Sequence, residues 1–353
     1  MNTSRRARAL EAARRVGADG VLGADPATVT WLTGFEVDIE SGPSPFALPP
    51  LALVTADGPP TLVVSADDAA SAPEGCEAVT YPGFTTGPLD PVGGAARVLS
   101  AAVGGRKLAT EPGALSAALA RDLRFVDATA ELAAARAVKD ADEIVALRAA
   151  IELCDVGQIE ARARAEAGMT EIELWTLVRA AVERAAGGRT PLLADLVAGA
   201  RTAQTGGPPG ERILSAGDLV LCDLVPRRHG YWGDSCATFS IGEARPSARA
   251  KHRRAREALE RGIDAVRPGI TGGHLDGIVR ADLDYGHHSG HGLGTSWHEA
   301  PRIVPGGATR LAEGMVVALE PAVYGADEGV RLEQVILVTS GGGTILSRHP
   351  LEL

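Results

Sequence analysis

Apolar and polar positions follow two regimes along the chain. Residues 4–16 place Ala9, Leu10 and Ala13 on one side of a helical period and predict a helix. Short apolar runs at 20–22, 51–54, 61–64 and 107–109 predict strands, two of them joined by the turn Asp57-Gly58-Pro59-Pro60. Residues 88–103 and 113–122 predict helices among them, so the first part is an α/β unit with mixed strands. Residues 129–137 are Ala-rich and helical, and a second helix begins after Asp140, a good N-cap, and runs to about residue 165. The expected domain boundary falls between them, giving domains 1–137 and 138–353. Beyond it, Thr170 and Glu173 form a capping-box pair for a helix over 170–186. Strands are predicted at 192–197, 219–225, 231–241, 315–319, 329–338 and 344–345, and helices at 247–266 and 273–281.

Acids interrupt the apolar runs. Asp223 lies inside the run 219–225, where an unpartnered carboxylate is costly. If the following hairpin turns about Arg228-His229, Asp234 lies directly across from Asp223. Two facing acids repel unless a proton or a metal sits between them. The plainer alternative has Asp234 capping a turn and Asp223 in a salt bridge. Glu320 ends the run 315–319 and Glu333 sits within the run 330–338. His291 stands between glycines in Gly290-His291-Gly292, and His298 follows seven residues on. Carboxylates with one imidazole suit Mn²⁺, Co²⁺, Fe²⁺ or Zn²⁺. Four carboxylates exceed the charge of one divalent ion, so two bridged ions fit better and point to hydrolysis.

Composition narrows the class. The 353 residues are enough for about two domains. A formal net charge of -10 argues against nucleic acid or an anionic membrane as partner. No apolar run is long enough to span a bilayer, and the basic, Ala-rich N-terminus has no apolar signal core, so a cytoplasmic protein is expected. The 4 cysteines include no Cys-x-x-Cys pair and read as buried free thiols, Cys236 among them as packing.

The stretches Gly230-Tyr231-Trp232-Gly233-Asp234, Gly290-His291-Gly292, His298-Glu299-Ala300-Pro301, Glu313-Gly314-Met315 leading to Glu320-Pro321, and Gly329-Val330-Arg331-Leu332-Glu333 resemble the creatinase/prolidase/aminopeptidase P family. Trp31-Leu32-Thr33-Gly34-Phe35 resembles that family's N-terminal signature, and Arg136-Ala137-Val138-Lys139 its inter-domain linker. The resemblance implies an α/β (α+β) protein with a creatinase-like N-terminal domain and a C-terminal pita-bread domain. It implies that Asp223 binds one metal, that Asp234 and Glu333 bridge both, and that His291 and Glu320 hold the second. The ions would be Mn²⁺ first, with Co²⁺, Zn²⁺ or Fe²⁺ as the other candidates. His287 matches a family active-site histidine, His298 one that contacts substrate, Arg331 one that orients the bridging Glu, and Tyr324 a tyrosine near the metals. The implied reaction is attack by a metal-bridging hydroxide on a peptide-like carbonyl, with Glu320 or Glu333 carrying the proton. A homodimer acting on a small peptide is implied as well.

Three departures bear on specificity. The family's peptidases carry a histidine about seventeen residues before the first Asp ligand, where this chain has Gly206. The usual Thr-Arg-Thr after the bridging Asp is replaced by Cys236-Ala237-Thr238, and the segment 273–287 is short. The leading expectation is therefore an Xaa-Pro dipeptidase or aminopeptidase P-like enzyme. The alternatives are a specialist on a non-peptide C–N bond in a small metabolite and a non-catalytic binding homologue.

Overall fold

The computed structural model describes residues 3–40 and 44–353, and the chain divides into two compact units, Met1–Arg136 and Ala137–Leu353. The first unit runs α1 (Thr3–Arg15), β1 (Gly20–Gly23), α2 (Pro26–Thr33), β2 (Leu51–Thr55), β3 (Thr61–Ser65), β4 (Glu77–Tyr81), α3 (Pro91–Val103), β5 (Lys107–Thr110), α4 (Ala117–Ala120), β6 (Arg124–Asp127) and α5 (Thr129–Ala137). Its 6-stranded sheet has the order β4-β3-β2-β1-β5-β6, with parallel and antiparallel neighbours. One apolar cluster gathers round Trp31, Leu32 and Leu62, and another round Leu22, Leu99 and Leu108. Both edge strands escaped the sequence reading because β4 and β6 are mostly exposed and carry no apolar run. The helix expected over 113–122 shrinks to α4, since Pro112 and Gly113 form a separate single turn and Ser116 caps a new start.

The second unit continues with α6 (Ala141–Arg164), where the expected N-cap Asp140 forms a capping box with Glu143, and α7 (Glu171–Ala186), opened by the expected box of Thr170 and Glu173. The remaining elements are β7 (Leu192–Ala198), β8 (Leu219–Arg228), β9 (Tyr231–Trp232), β10 (Ser235–Ser240), α8 (Pro246–Ala265), α9 (Gly272–Arg280), β11 (Gly290–Gly292), β12 (Glu299–Ile303), β13 (Val316–Leu319), β14 (Ala322–Tyr324), β15 (Gly329–Arg331), β16 (Gln334–Thr339) and β17 (Gly342–Ile345). One sheet has the order β10-β8-β7, with β9 paired to β8, and another the order β12-β11-β13-β16-β17. The amide of Glu333 donates to the Cys236 carbonyl at 2.8 Å and thereby ties the start of β16 to β10. Helix α6 backs β8, and Gln158 donates from it to the Cys222 carbonyl at 2.9 Å.

The glycines beside His291 have a steric cause. A Cβ on Gly290 would lie 2.1 Å from the Ala318 carbonyl oxygen, and one on Gly292 would lie 2.2 Å from that of Ala300. Only hydrogen fits there, so β11 is wedged between β12 and β13 with its one side chain committed to a single direction.

The hairpin register differs from the sequence expectation. Arg228 pairs with Tyr231 and Asp223 pairs with Cys236, so the turn is centred on His229-Gly230, and Asp234 does not face Asp223. Both turn residues have positive φ, 51° at His229 and 77° at Gly230, as a two-residue type I′ connection needs. Asp234 instead falls in the break between β9 and β10, free of the ladder.

Candidate metal centre

Five acidic and imidazole side chains arrive at one cavity from different strands. Asp223 comes from the middle of β8 and Asp234 from the break before β10. His291 comes from β11, Glu320 from the residue after β13 and Glu333 from the link between β15 and β16. All line a cavity of about 670 Å³. One ligand atom from each of Asp234, His291 and Glu333 lies within 4.8 Å of the other two. His291 Nε2 is 3.5 Å from Asp234 Oδ2 and 3.6 Å from Glu320 Oε1. Four of the five are almost wholly buried, Glu333 to 1% exposure and His291 to 2%, while Asp223 is partly buried.

The donor set fits divalent cations. His291 Nδ1 lies 3.0 Å from the Gly292 carbonyl oxygen, which can only accept, so this nitrogen carries the proton. Its Nε2 therefore presents a lone pair toward two carboxylates, an arrangement that repels unless a cation lies between. Asp223 Oδ1 and Glu333 Oε1 are buried with no hydrogen-bond partner. Burial, with Asp223 and Glu320 nearby, pushes the Asp234 carboxyl well up, and burial with Asp234 nearby does the same to Glu333. Burial also raises Asp223, to about 6, against the pull of the Arg331 guanidinium. Glu320 goes the other way. Burial would raise it, but the His288 hydrogen bond and the positive charge of Arg331 bring it to about 2.

Those shifts fix the sign of a pH effect on the metal-free protein. The folded state holds the protons of Asp223, Asp234 and Glu333 more tightly than the unfolded chain does. Their contribution is most favourable in acid and is lost as pH rises, through about 6 for Asp223 and through the raised pKa of each of the other two. Glu320 has the opposite sign, its contribution being lost only as pH falls toward about 2. The metal-free protein is thus expected to melt at lower temperature at about pH 8 than at about pH 5, and added Mn²⁺ to close the gap. Melting curves at the two pH values, with and without metal, check this; a gap of the reverse sign contradicts the charge assignment.

The neighbouring polar residues form a continuous set of contacts. The Arg331 guanidinium donates to Asp223 Oδ2 and to the Thr205 carbonyl, to Cys236 Sγ at 3.3 Å and to Tyr324 Oη at 3.4 Å. Its direct carboxylate partner is Asp223, where the sequence reading placed the bridging Glu333. The Thr238 hydroxyl bonds both the amide and the carbonyl of Arg331, at 3.1 Å and 3.0 Å. Cys236, a departure from the family pattern, and Thr238, which keeps it, are thus the residues that seat Arg331. Tyr324 Oη is 3.1 Å from His287 Nε2, and His287 Nδ1 lies 2.7 Å from the His288 carbonyl oxygen. His287 therefore carries its proton on Nδ1 and accepts from the Tyr324 hydroxyl, whose pKa burial pushes up to about 12.

Spacing alone selected His287, yet both histidines line the cavity and His288 holds Glu320 more closely. His288 Nε2 is 2.7 Å from Glu320 Oε1, against 3.8 Å from His287 Nδ1 to Oε2. The segment carrying them is short but fixed, because Arg280 at the end of α9 donates to the Tyr285 and His287 carbonyls at 2.7 Å and 2.8 Å. His298 lies at the cavity mouth with its ring centroid 3.8 Å from that of His291. Burial, with His291 and His288 beside it, lowers its pKa to about 3, so the ring is neutral at ordinary pH. No helix among the described residues is long and apolar enough to cross a membrane.

Comparisons with known proteins agree with this architecture. Residues 145–340 match the model of Metallopeptidase family M24, and residues 5–138 match the Creatinase/Prolidase N-terminal domain. The YkvY protein of Bacillus subtilis is 32% identical over 261 residues, covering 70% of this chain and 72% of that protein. The Xaa-Pro dipeptidase of Pyrococcus furiosus is 32% identical over 227 residues, 62% of this chain and 65% of its own length. The structure of an Xaa-Pro dipeptidase from Bacillus anthracis superposes with a TM-score of 0.84 over 99% of both chains, at 24% identity, a likeness of fold.

Proposed function

The chain belongs to metallopeptidase family M24, and from that premise we propose that it is a dinuclear hydrolase of peptide-like C–N bonds, an Xaa-Pro dipeptidase in the first instance. Asp223, Asp234, His291, Glu320 and Glu333 would hold the two ions, with Asp234 and Glu333 shared between them. The observation that carries the reading is the convergence of Asp234, His291 and Glu333, with the His291 lone pair aimed at the carboxylates of Asp234 and Glu320. Manganese as the resident ion, a homodimer and a cytoplasmic location belong to the same proposal.

When bound, the ions supply an activated water and polarise the scissile carbonyl. The chain's own residues do the rest. Glu320, held ionised by its histidine neighbours, takes a proton at its carboxylate and returns it to the leaving nitrogen. Glu333 is the other candidate for that transfer. Neutral His298 offers a ring N–H to the substrate oxygen as it gains charge. His287, oriented by Tyr324, and Arg331, clamped on Asp223, keep these groups in place.

The test is release of proline from a panel of Xaa-Pro dipeptides by protein loaded with Mn²⁺ or Co²⁺. Metal-dependent release is the expected result. Retained metal with no dipeptide cleaved would contradict the dipeptidase and favour a hydrolase specialised on a non-peptide C–N bond.

A further inference from the structure

Asp195 lies in the middle of β7, between Ala194 and Leu196, an acid inside an apolar run. It pairs across the ladder with Asp223, so the two carboxylates leave the sheet on the same face. Asp195 lines the same cavity as the proposed metal ligands. Its side chain is 37% exposed, whereas those of Asp223 and Arg331 are 16% and 4% exposed. Water, and hence substrate, reaches Asp195 first.

The carboxylate occupies room that a glycine leaves for it. A Cβ on Gly206 would lie 1.8 Å from Asp195 Oδ2. Any side chain at 206 would push the acid aside, and this is where the resembling peptidases carry a histidine. The acid is also under-compensated. Its ion-pair partner, Arg331 Nη2, is 3.5 Å away and donates to Asp223 Oδ2 instead. The same cavity is also lined by the apolar side chains of Leu193 and Trp297, each 44% exposed, and of Val225.

An apolar proline ring seated against this wall would strip water from Asp195 and give nothing in return. An ammonium or guanidinium group would pair with it through a charge-assisted hydrogen bond while its alkyl stem lies on Leu193 and Trp297. We propose that Asp195 is a specificity-determining residue that takes a cationic group of the substrate. The preferred substrates are then peptide-like amides with a basic group close to the scissile bond. This rests on the hydrolase reading given above.

The test uses pairs that differ only in charge, on Mn²⁺-loaded protein: Lys-Pro against norleucyl-proline, and Ala-Lys against Ala-norleucine. Equilibrium binding of free lysine and norleucine is measured beside them. The wild type is expected to favour the charged member of at least one dipeptide pair, and lysine over norleucine, by about tenfold. Asp195→Asn is expected to bring these ratios to about one, and Asp195→Glu to restore part of the preference. A wild-type ratio at or below one in every pair, or a preference untouched by Asp195→Asn, overturns the proposal. The two readings fail separately. A lysine preference that vanishes in Asp195→Asn while no dipeptide is cleaved keeps the cation site and rejects the dipeptidase. Cleavage of Xaa-Pro without charge preference keeps the dipeptidase and rejects the cation site.

Discussion

Asp234→Ala and Glu333→Ala are each expected to lower kcat/KM by roughly a thousandfold or more and to lose bound metal in the same step. Each removes a carboxylate proposed to serve both ions, so neither ion keeps its coordination. The charge balance adds a second, less obvious expectation. Burial and neighbouring carboxylates hold both groups well above their ordinary pKa, so without metal they strain the folded state at neutral pH. Deleting either one relieves that strain. The metal-free variants are therefore expected to melt no lower than the metal-free wild type at about pH 8, while gaining little or nothing from added Mn²⁺. Activity assays, metal analysis and melting curves on the same preparations check all parts. Activity and metal surviving in either variant would refute the bridging roles.

Arg331→Ala is expected to have the largest effect on stability. Arg331 and Asp223 form an ion pair with side chains 4% and 16% exposed. Removing the cation leaves Asp223 buried beside Asp195 and the other acids, and breaking such a pair costs about 3–5 kcal/mol. For a unit of this size that is a fall in melting temperature of roughly 10 °C. Lysine does not rescue it fully, because a single ammonium cannot reach Asp223, the Thr205 carbonyl, Cys236 and Tyr324 together as the guanidinium does. The double change Arg331→Ala with Asp223→Asn removes the orphaned charge and is expected to recover most of the loss. A single variant that melts like the wild type would show that the pair is not structural.

The sequence made four of the five proposed ligands legible because each of the four offends the pattern around it, whereas Asp234 rested on the family motif. Asp223 and Glu333 stand in apolar runs, Glu320 ends one, and His291 sits between glycines that only a close backbone approach explains. The fold class, the creatinase-like first unit and the pita-bread second unit followed from the same motifs and agree with the family models. What failed was anything set by register or by three-dimensional partners. The hairpin turns one residue later than read, so Asp223 faces Cys236 and Asp195 and not Asp234. Arg331 binds the acid on β8, because Glu333 is only two residues along its own chain and lies in a bend toward β10. His288 was passed over because adjacent histidines are indistinguishable by spacing, and only the structure tells which imidazole reaches Glu320. Asp195 interrupts an apolar run just as Asp223 does, and it was passed over because no motif of the family covers it.

The five side chains are proposed to make their crowded negative charge tolerable by sharing two divalent ions. Metal content per chain, measured by plasma mass spectrometry after loading with Mn²⁺ and exhaustive dialysis, tests it most directly. About two ions per wild-type chain are expected, and fewer than one in Asp234→Ala or Glu333→Ala. A wild-type chain that retains none, or variants that retain as much as the wild type, would contradict it.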